Sequence, residues 1–574
     1  MREETIEEVL PDLYNVRTQK NGPYISSKCY PFEIKPFISN IAGGKSSKGR
    51  LTDILEIVDD PQKYNIVRPY LEIERQIKET GELYFNMDSV ANLEKVDKYN
   101  ANLDEWEKGQ GFSIKSNNKL LFIEFYEKTT LSILTKLISL SKCENKGQKT
   151  VNAEYIKRCN NDFDDKIKES ALKNAFVNTN VMLIYGAAGT GKTTLMNHIS
   201  NMMCDSKKLF LSKTRTALEN LERNIKNSGA DGIFKTIDSY AKSSTILDYD
   251  IVFIDECSTI DNRMMDMFLK KVNKETLLVL SGDVYQIESI DYGNWFYYAK
   301  DIIKSKDSNV ELFSTWRTDK EELKSLWSEV RTVEPIITEK LSMDGPFSSD
   351  IGEDIFVHED GEIVLCLNYD GKFGLNSMNL YFQNANTSSK PYSWNGWIFK
   401  VGDPIIFVNP NRSSLLYNNL TGRIVSISIN DSAISFTLDV DTVLNEQQCR
   451  NESFEVLQGM EAKTRILLDV IAYNDELKDE DRIKTIIPFQ IAYAVSIHKA
   501  QGLEFNSVKI VIPSNNAEKI THDIFYTAIT RAREKLRIYW SAETMQSIVE
   551  GFTKEKKEQK SLTLIKKKLG IDTD

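Results

Sequence analysis

Apolar residues between positions 181 and 541 fall into short continuous runs separated by helix-compatible stretches. The runs Val181 to Gly186, Ile251 to Asp255, Leu277 to Leu280 and Ser507 to Ile512 are compact and rich in Val, Ile and Leu, as strands buried on both faces require. Between them lie segments such as Leu195 to Ser200 with helical character. Strands alternating with helices predict an α/β fold built on parallel sheets.

The pattern changes at Val401. From there to Ile429, strand-like runs are broken by Gly, Pro and Asn turns, and the strict alternation ISFTLDV and the later TRILLDVIAY continue a β-rich insert. Residues 474–482 read as a charged loop. Ahead of the α/β region, residues 49–80 and 125–143 have the apolar spacing of helices, and residues 21–37 read as loop and strand. Residues 554–568 carry KEKK and IKKK, which read either as a solvated helix or as a contact for a DNA end or a partner.

Composition adds bounds. At 574 residues the chain has room for two to four domains, with 41% hydrophobic and 27% charged residues, ordinary for globular proteins. No apolar run reaches eighteen residues and the first segment, MREETIEEVLPDLY, is too acidic for a signal peptide, so a cytoplasmic protein with no membrane partner is expected. Seven scattered cysteines, none in a CxxC pair, point to reduced thiols. A net charge of −11 argues against a nucleic-acid coat protein but tolerates one basic channel.

Candidate chemistry begins where the first apolar run ends. Gly186, Gly189, Thr190, Gly191, Lys192, Thr193 and Thr194 form a GxxxxGK[ST] loop between a strand and a helix. Its backbone N–H groups can cradle phosphates while Lys192 reaches the β/γ oxygens and the Thr193 hydroxyl holds Mg²⁺. ATP and Mg²⁺ are the cofactors this implies. Sixty-three residues after Lys192, a second buried run ends in Asp255, able to bind the metal's hydration shell, and Glu256, able to deprotonate the attacking water. A third run is followed by Gln286, placed to bond the γ-phosphate or that water.

In this order the motifs resemble those of a superfamily 1 helicase of the UvrD/RecD-like group. SKTRTALENL from Ser212, TIDSY from Thr236, LFSTWR ending at Arg317, VSIHKAQGLEF from Val495 and YTAITRAR from Tyr526 complete the set. The resemblance covers roughly residues 166 to 541 and implies two RecA-like lobes. It implies that Arg317 and Arg531 reach the γ-phosphate on lobe closure, that Trp316 stacks on the base, and that Gly502 and Glu504 contact nucleotide. The adenine-reading glutamine motif is not visible in KESALKNAFVNTN, a departure from the family pattern.

On the polynucleotide side the resemblance assigns Thr214, Thr236 and His498 to single-stranded DNA; Arg215 and Lys499 can add charge along the DNA backbone, the alternative for a surface lysine being simple solvation. The aromatic run Trp295 to Tyr298 offers either a base-stacking platform or helical core packing. The short interval from Lys192 to Asp255 leaves no room for the large 1B insertion of UvrD-type enzymes and favours the RecD-like branch. The β-rich insert then resembles an SH3-like 2B barrel.

The expected organisation is a helix-rich N-terminal domain (1–165), lobe 1A (166–310), lobe 2A (311–541) holding 2B (395–480), and a basic tail (542–574). The implied function is an ATP-dependent DNA helicase or translocase, moving 5′ to 3′, in repair, recombination or phage-related processing. Its partners would be single-stranded or tailed duplex DNA, and a protein through the N-terminal domain. A DNA-activated ATPase switch that recruits an effector without unwinding is the alternative.

Overall fold

The computed structural model describes residues 61–571 apart from short internal stretches, and a ribbon pairing Val16–Gln19 with Gly22–Ile25. The remaining residues of the predicted loop-and-strand segment at 21–37, and 49–60 of the first predicted helix, lie outside the described residues. The chain divides into two compact units, residues 1–132 with 557–574, and residues 133–556.

The first unit holds helices Pro61–Thr80 and Leu93–Ala101, the start of a helix Glu124–Leu140, and a three-stranded antiparallel sheet. The end of the chain belongs to this unit. Helix Gln559–Lys568 buries Leu562 and Ile565, the Ser561 hydroxyl accepts a hydrogen bond from the Leu83 amide at 2.9 Å, and Lys568 pairs with Glu127. Its apolar stripe, spaced at three residues, buries one face, which Lys568 extends over the Tyr84 and Phe122 rings, and leaves Lys560 and Lys567 exposed. The unit stops short of residue 165 because Tyr155 and Ile156, on helix Gln148–Arg158, pack into the core of the first parallel sheet instead.

That sheet opens the second unit. It comprises β1 (Val181–Gly186), β2 (Lys208–Ser212), β3 (Gly232–Thr236), β4 (Ile251–Asp255), β5 (Leu277–Gly282) and β6 (Asn309–Leu312). They lie in the order β6-β1-β5-β4-β2-β3, all parallel. Helices α1 (Lys192–Met202), α2 (Arg215–Asn224), α3 (Ile237–Lys242), α4 (Asn262–Leu269) and α5 (Trp295–Ile302) connect the strands. Every residue of β1 and β5 is buried, as the unbroken apolar runs require. Trp295, Phe296 and Tyr298 of α5 are buried too, so core packing claims this run and the stacking-platform alternative fails for those three.

Helix α6 (Glu321–Thr332) leads into a second parallel sheet of β7 (Ser348–Ser349), β8 (Glu362–Cys366), β15 (Ala494–Ser496), β16 (Phe505–Val511) and β17 (Ala532–Tyr539), ordered β7-β17-β16-β8-β15. Helices α7 (Leu375–Ala385), α8 (His522–Ile529) and α9 (Ala542–Glu550) pack with it. Between β8 and β15 the chain makes an antiparallel sheet of β9 (Pro404–Phe407), β10 (Thr421–Ile429), β11 (Ala433–Val440), β12 (Phe454–Gly459), β13 (Thr464–Ile471) and β14 (Phe489–Ile491). In β11 every second residue is buried, matching the alternation of ISFTLDV. Its core centres on Phe399, Phe436, Leu438, Leu468 and Phe489. The predicted charged loop contains one helical turn, Asp479–Arg482.

Candidate nucleotide and nucleic-acid site

The loop after β1 is shaped by glycines in conformations other residues resist. Gly189 and Gly191 have φ of 76° and 82°, which turns the chain into α1 with its first amides facing the loop's mouth. The Lys192 ammonium donates to the carbonyls of Gly186 at 2.8 Å and Ala187 at 3.0 Å, and the Thr190 hydroxyl donates to Ala187 at 2.9 Å. Burial lowers the Lys192 pKa, opposed by the carboxylates of Asp283, Glu256 and Asp255. Thr193 and Thr194 lie in the first turn of α1.

Beneath the loop lies a second lysine that sequence reading passed over. Lys168 is wholly buried, pairs with Asp164 at 2.5 Å, and its ammonium lies 2.3 Å from where a Cβ on Gly191 would stand. It is the first residue of KESALKNAFVNTN, the segment that departs from the adenine-reading glutamine motif.

Asp255 ends β4, and its carboxylate accepts the Glu256 amide at 3.0 Å. Glu256 itself is held at φ 56° and ψ 43°, a strained left-handed geometry for a residue with a side chain. Burial and the neighbouring Asp255 raise its pKa, while Lys192, Arg531 and Arg317 oppose the rise. Gln286 is 4% exposed, and its amide nitrogen donates to Asp283 at 3.4 Å while its buried carbonyl oxygen finds no protein partner. A buried acceptor left open in this way suits a bound water or phosphate hydroxyl.

The two arginines come from outside the first sheet and meet there. The Trp316 amide donates to the Gly189 carbonyl at 2.7 Å, which holds Arg317 against the loop. Arg317 then donates to the Thr530 carbonyl at 2.8 Å and pairs with Glu504 at 2.5 Å. Arg531, 2% exposed, bonds the carbonyls of Thr527 at 2.9 Å and Leu503 at 3.3 Å. Burial and the Arg317 guanidinium bring its pKa down to about 10, with Glu256 and Glu504 pulling the other way. Burial pushes Glu504 up, but Arg317, Arg533 and Arg531 outweigh it and hold the carboxyl below its ordinary value. Lys192, Glu256, Arg317, Arg531 and Glu504 thus share one electrostatic field. The arrangement can bind a polyphosphate, activate a water and neutralise charge as it develops.

Two family models match the chain: the AAA domain over residues 168–344 and the UvrD-like helicase C-terminal domain over residues 491–539. Over 524 residues the chain is 23% identical to the RecBCD enzyme subunit RecD of Buchnera aphidicola subsp. Acyrthosiphon pisum, covering 72% of this chain and 81% of that protein. These matches make the chain similar to the RecD-like and UvrD-like superfamily 1 helicases. The chain is also 24% identical over 342 residues to RecD of Mycolicibacterium smegmatis, covering 53% of this chain and 52% of that one. Among solved structures, one described as forked-duplex unwinding by two coordinating Pif1 helicases has a TM-score of 0.42 at 16% identity, covering 73% of this chain and 96% of that chain.

Trp316 is 57% exposed beside the loop. Gly502 lies on the turn after β15 at φ 80°, and its carbonyl accepts from Asn220 of α2 at 3.0 Å. Thr214 caps α2 by accepting the Ala217 amide at 3.2 Å, and Arg215 lies 3.6 Å from Glu219, so both have protein partners. Thr236 starts α3 without a side-chain cap bond, and His498 is exposed on the turn after β15.

One face of α2 does what the sequence did not reveal. Thr216 donates to the Asn418 carbonyl at 3.1 Å, Glu219 accepts from Tyr417 at 2.5 Å and Thr442 at 3.3 Å, and Arg223 donates to the Asp441 carbonyl at 3.0 Å. Helical spacing sets these residues on one stripe, which clasps loops flanking β10 and β11.

Proposed function

We propose that this chain is an ATP-driven DNA helicase whose nucleotide site is split between two RecA-like lobes. One observation carries the reading: Arg317 and Arg531 share a field with Glu256 and the loop lysine Lys192, while Glu504 braces Arg317. Gly186, Gly189, Thr190, Gly191, Lys192, Thr193 and Thr194 hold the phosphates, Trp316 stacks on the base, and Gly502 and Glu504 line the far side. Thr193 and Asp255 are the ligands for Mg²⁺. No group of three or more metal-ligating side chains occurs among the described residues, and Mg²⁺ in such sites needs only one or two protein oxygens besides phosphate.

Glu256 takes the proton of the attacking water, and the rise that burial and Asp255 give its pKa makes it a stronger base than an ordinary glutamate. Gln286 accepts from that water through its open carbonyl oxygen. The two guanidinium groups neutralise charge on the transferred phosphoryl, an effect worth on the order of 10³ to 10⁵ in rate where an arginine finger is used. Because they come from the chain beyond β6, hydrolysis depends on lobe position, and alternate closure and opening moves the strand.

The strand is single-stranded DNA gripped by Thr214, Arg215, Thr236 and His498, and movement is 5′ to 3′, in recombination or repair. The antiparallel sheet of β9 to β14 is an SH3-like 2B element, and residues 1–165 bind a protein partner. Duplexes with a 5′ or a 3′ tail test this directly: ATP-dependent separation of the 5′-tailed substrate is expected, and separation only of the 3′-tailed one overturns the polarity. Stimulated hydrolysis with neither duplex opened would leave a DNA-activated switch.

A further inference from the structure

An aromatic side chain that no motif includes stands beside Lys499, the residue after His498. In the second parallel sheet, neighbouring strands β8 and β15 run in register, Cys366 opposite Ser496, and the Ile497 amide still donates to the Cys366 carbonyl at 3.2 Å. The segments leaving their carboxyl ends therefore emerge side by side. One carries Tyr369, the other His498 and Lys499. In open parallel sheets, ligands bind outside the carboxyl ends of the strands.

Tyr369 is presented from a rigid frame. The Leu375 amide donates to Asn368 at 2.9 Å and the Asn376 amide to the Tyr369 carbonyl at 3.0 Å, pinning the loop to the first turn of α7. The ring nevertheless remains 46% exposed, though most large rings of this chain are buried. The Lys499 ammonium lies 5.8 Å from its centroid and is fixed by Gln490 at 3.1 Å. An exposed ring held beside a cation is how proteins bind single strands without reading sequence: bases stack while the cation follows the phosphates.

We propose that Tyr369 is a base-stacking platform for single-stranded DNA in the second lobe, with Lys499 contacting the adjoining phosphate. The proposal rests on the reading of the chain as a DNA helicase and names a residue of its strand path. Stacking tolerates any base, so affinity through Tyr369 varies little among sequences and is lost where the base is missing.

The test is fluorescence anisotropy of the full chain on a labelled dT oligonucleotide, and on the same strand carrying abasic positions. Tyr369→Ala is expected to weaken binding about five- to 150-fold, the span of base–aromatic stacking. Tyr369→Phe, which keeps the ring, should stay within about threefold of the parent by the same reasoning. The parent should prefer the base-bearing strand and Tyr369→Ala should not. Lys499→Gln should flatten the dependence of log affinity on log salt by about 0.7, one phosphate's worth on a single strand. Tyr369→Ala binding as tightly as the parent, or discriminating abasic DNA as well as it does, overturns the assignment. A parent that binds no single-stranded DNA at all overturns the underlying reading instead.

Discussion

Replacing Gly189 by alanine should disable hydrolysis while leaving the protein folded. An added Cβ would stand 2.3 Å from the Arg317 Cβ, 3.0 Å from its amide nitrogen and 3.1 Å from its Cα, where ordinary contact begins at 3.4 Å. Because backbone is involved, the segment carrying Trp316 and Arg317 must retreat by about 1 Å, and the 2.7 Å bond from Trp316 to Gly189 is strained or lost. Left-handed geometry at φ 76° costs an alanine about 1–2 kcal/mol, and the lost bond about 0.5–1.5 kcal/mol. Together these lower the melting temperature by only a few degrees in a chain this size. Displacing a charge-neutralising guanidinium by about 1 Å costs far more in rate, on the order of 10²-fold.

The assay is steady-state ATPase with saturating single-stranded DNA, run beside Arg317→Ala and the double variant. If the loss acts through Arg317, the double variant is no slower than Arg317→Ala alone. Wild-type turnover in Gly189→Ala, or losses that multiply in the double variant, would refute the reasoning.

Other expectations follow from the same geometry. Glu256→Gln should bind ATP with near-normal affinity yet lose at least about 10²-fold in turnover, checked by nucleotide titration and phosphate release. Since burial and Asp255 raise the Glu256 pKa, the base form is lost at a higher pH than an ordinary glutamate would lose it. The acid limb of kcat/KM for ATP should therefore lie above the usual carboxylate range, and a limb at the value of an exposed glutamate would contradict this. Tyr417→Phe removes a hydrogen bond to the Glu219 carboxylate and should cost about 1.5–3 kcal/mol in denaturant unfolding of the second unit. Leu468→Ala, at a fully buried position between β11 and β12, should cost about 2–5 kcal/mol.

Elements whose chemistry is local were legible in the sequence. A strand buried on both faces writes itself as VMLIYG or IVFIDE, and the phosphate loop needs its glycines at fixed spacing because of backbone geometry, so both could be read from the order of residues alone. The alternation in ISFTLDV likewise announced a strand with one buried face. What escaped depends on approach across the fold. Lys168 looks like any helical lysine until Gly191 is folded over it, and the stripe of Thr216, Glu219 and Arg223 looks like a solvated face until the loops beside β10 and β11 meet it. Tyr369 carried no signal because exposure is not a property of sequence. The tail lysines read equally as solvated or as binding; the buried Leu562 and Ile565 between them explain why a helix forms there.

The central claim is that the split nucleotide site drives strand separation. Its most direct measurement is unwinding of a 5′-tailed duplex by the full chain with ATP and Mg²⁺, beside Lys192→Ala and Arg531→Gln variants of the two halves. The account predicts ATP-dependent separation by the parent and none by either variant. Separation by Arg531→Gln at the parent's rate would contradict it.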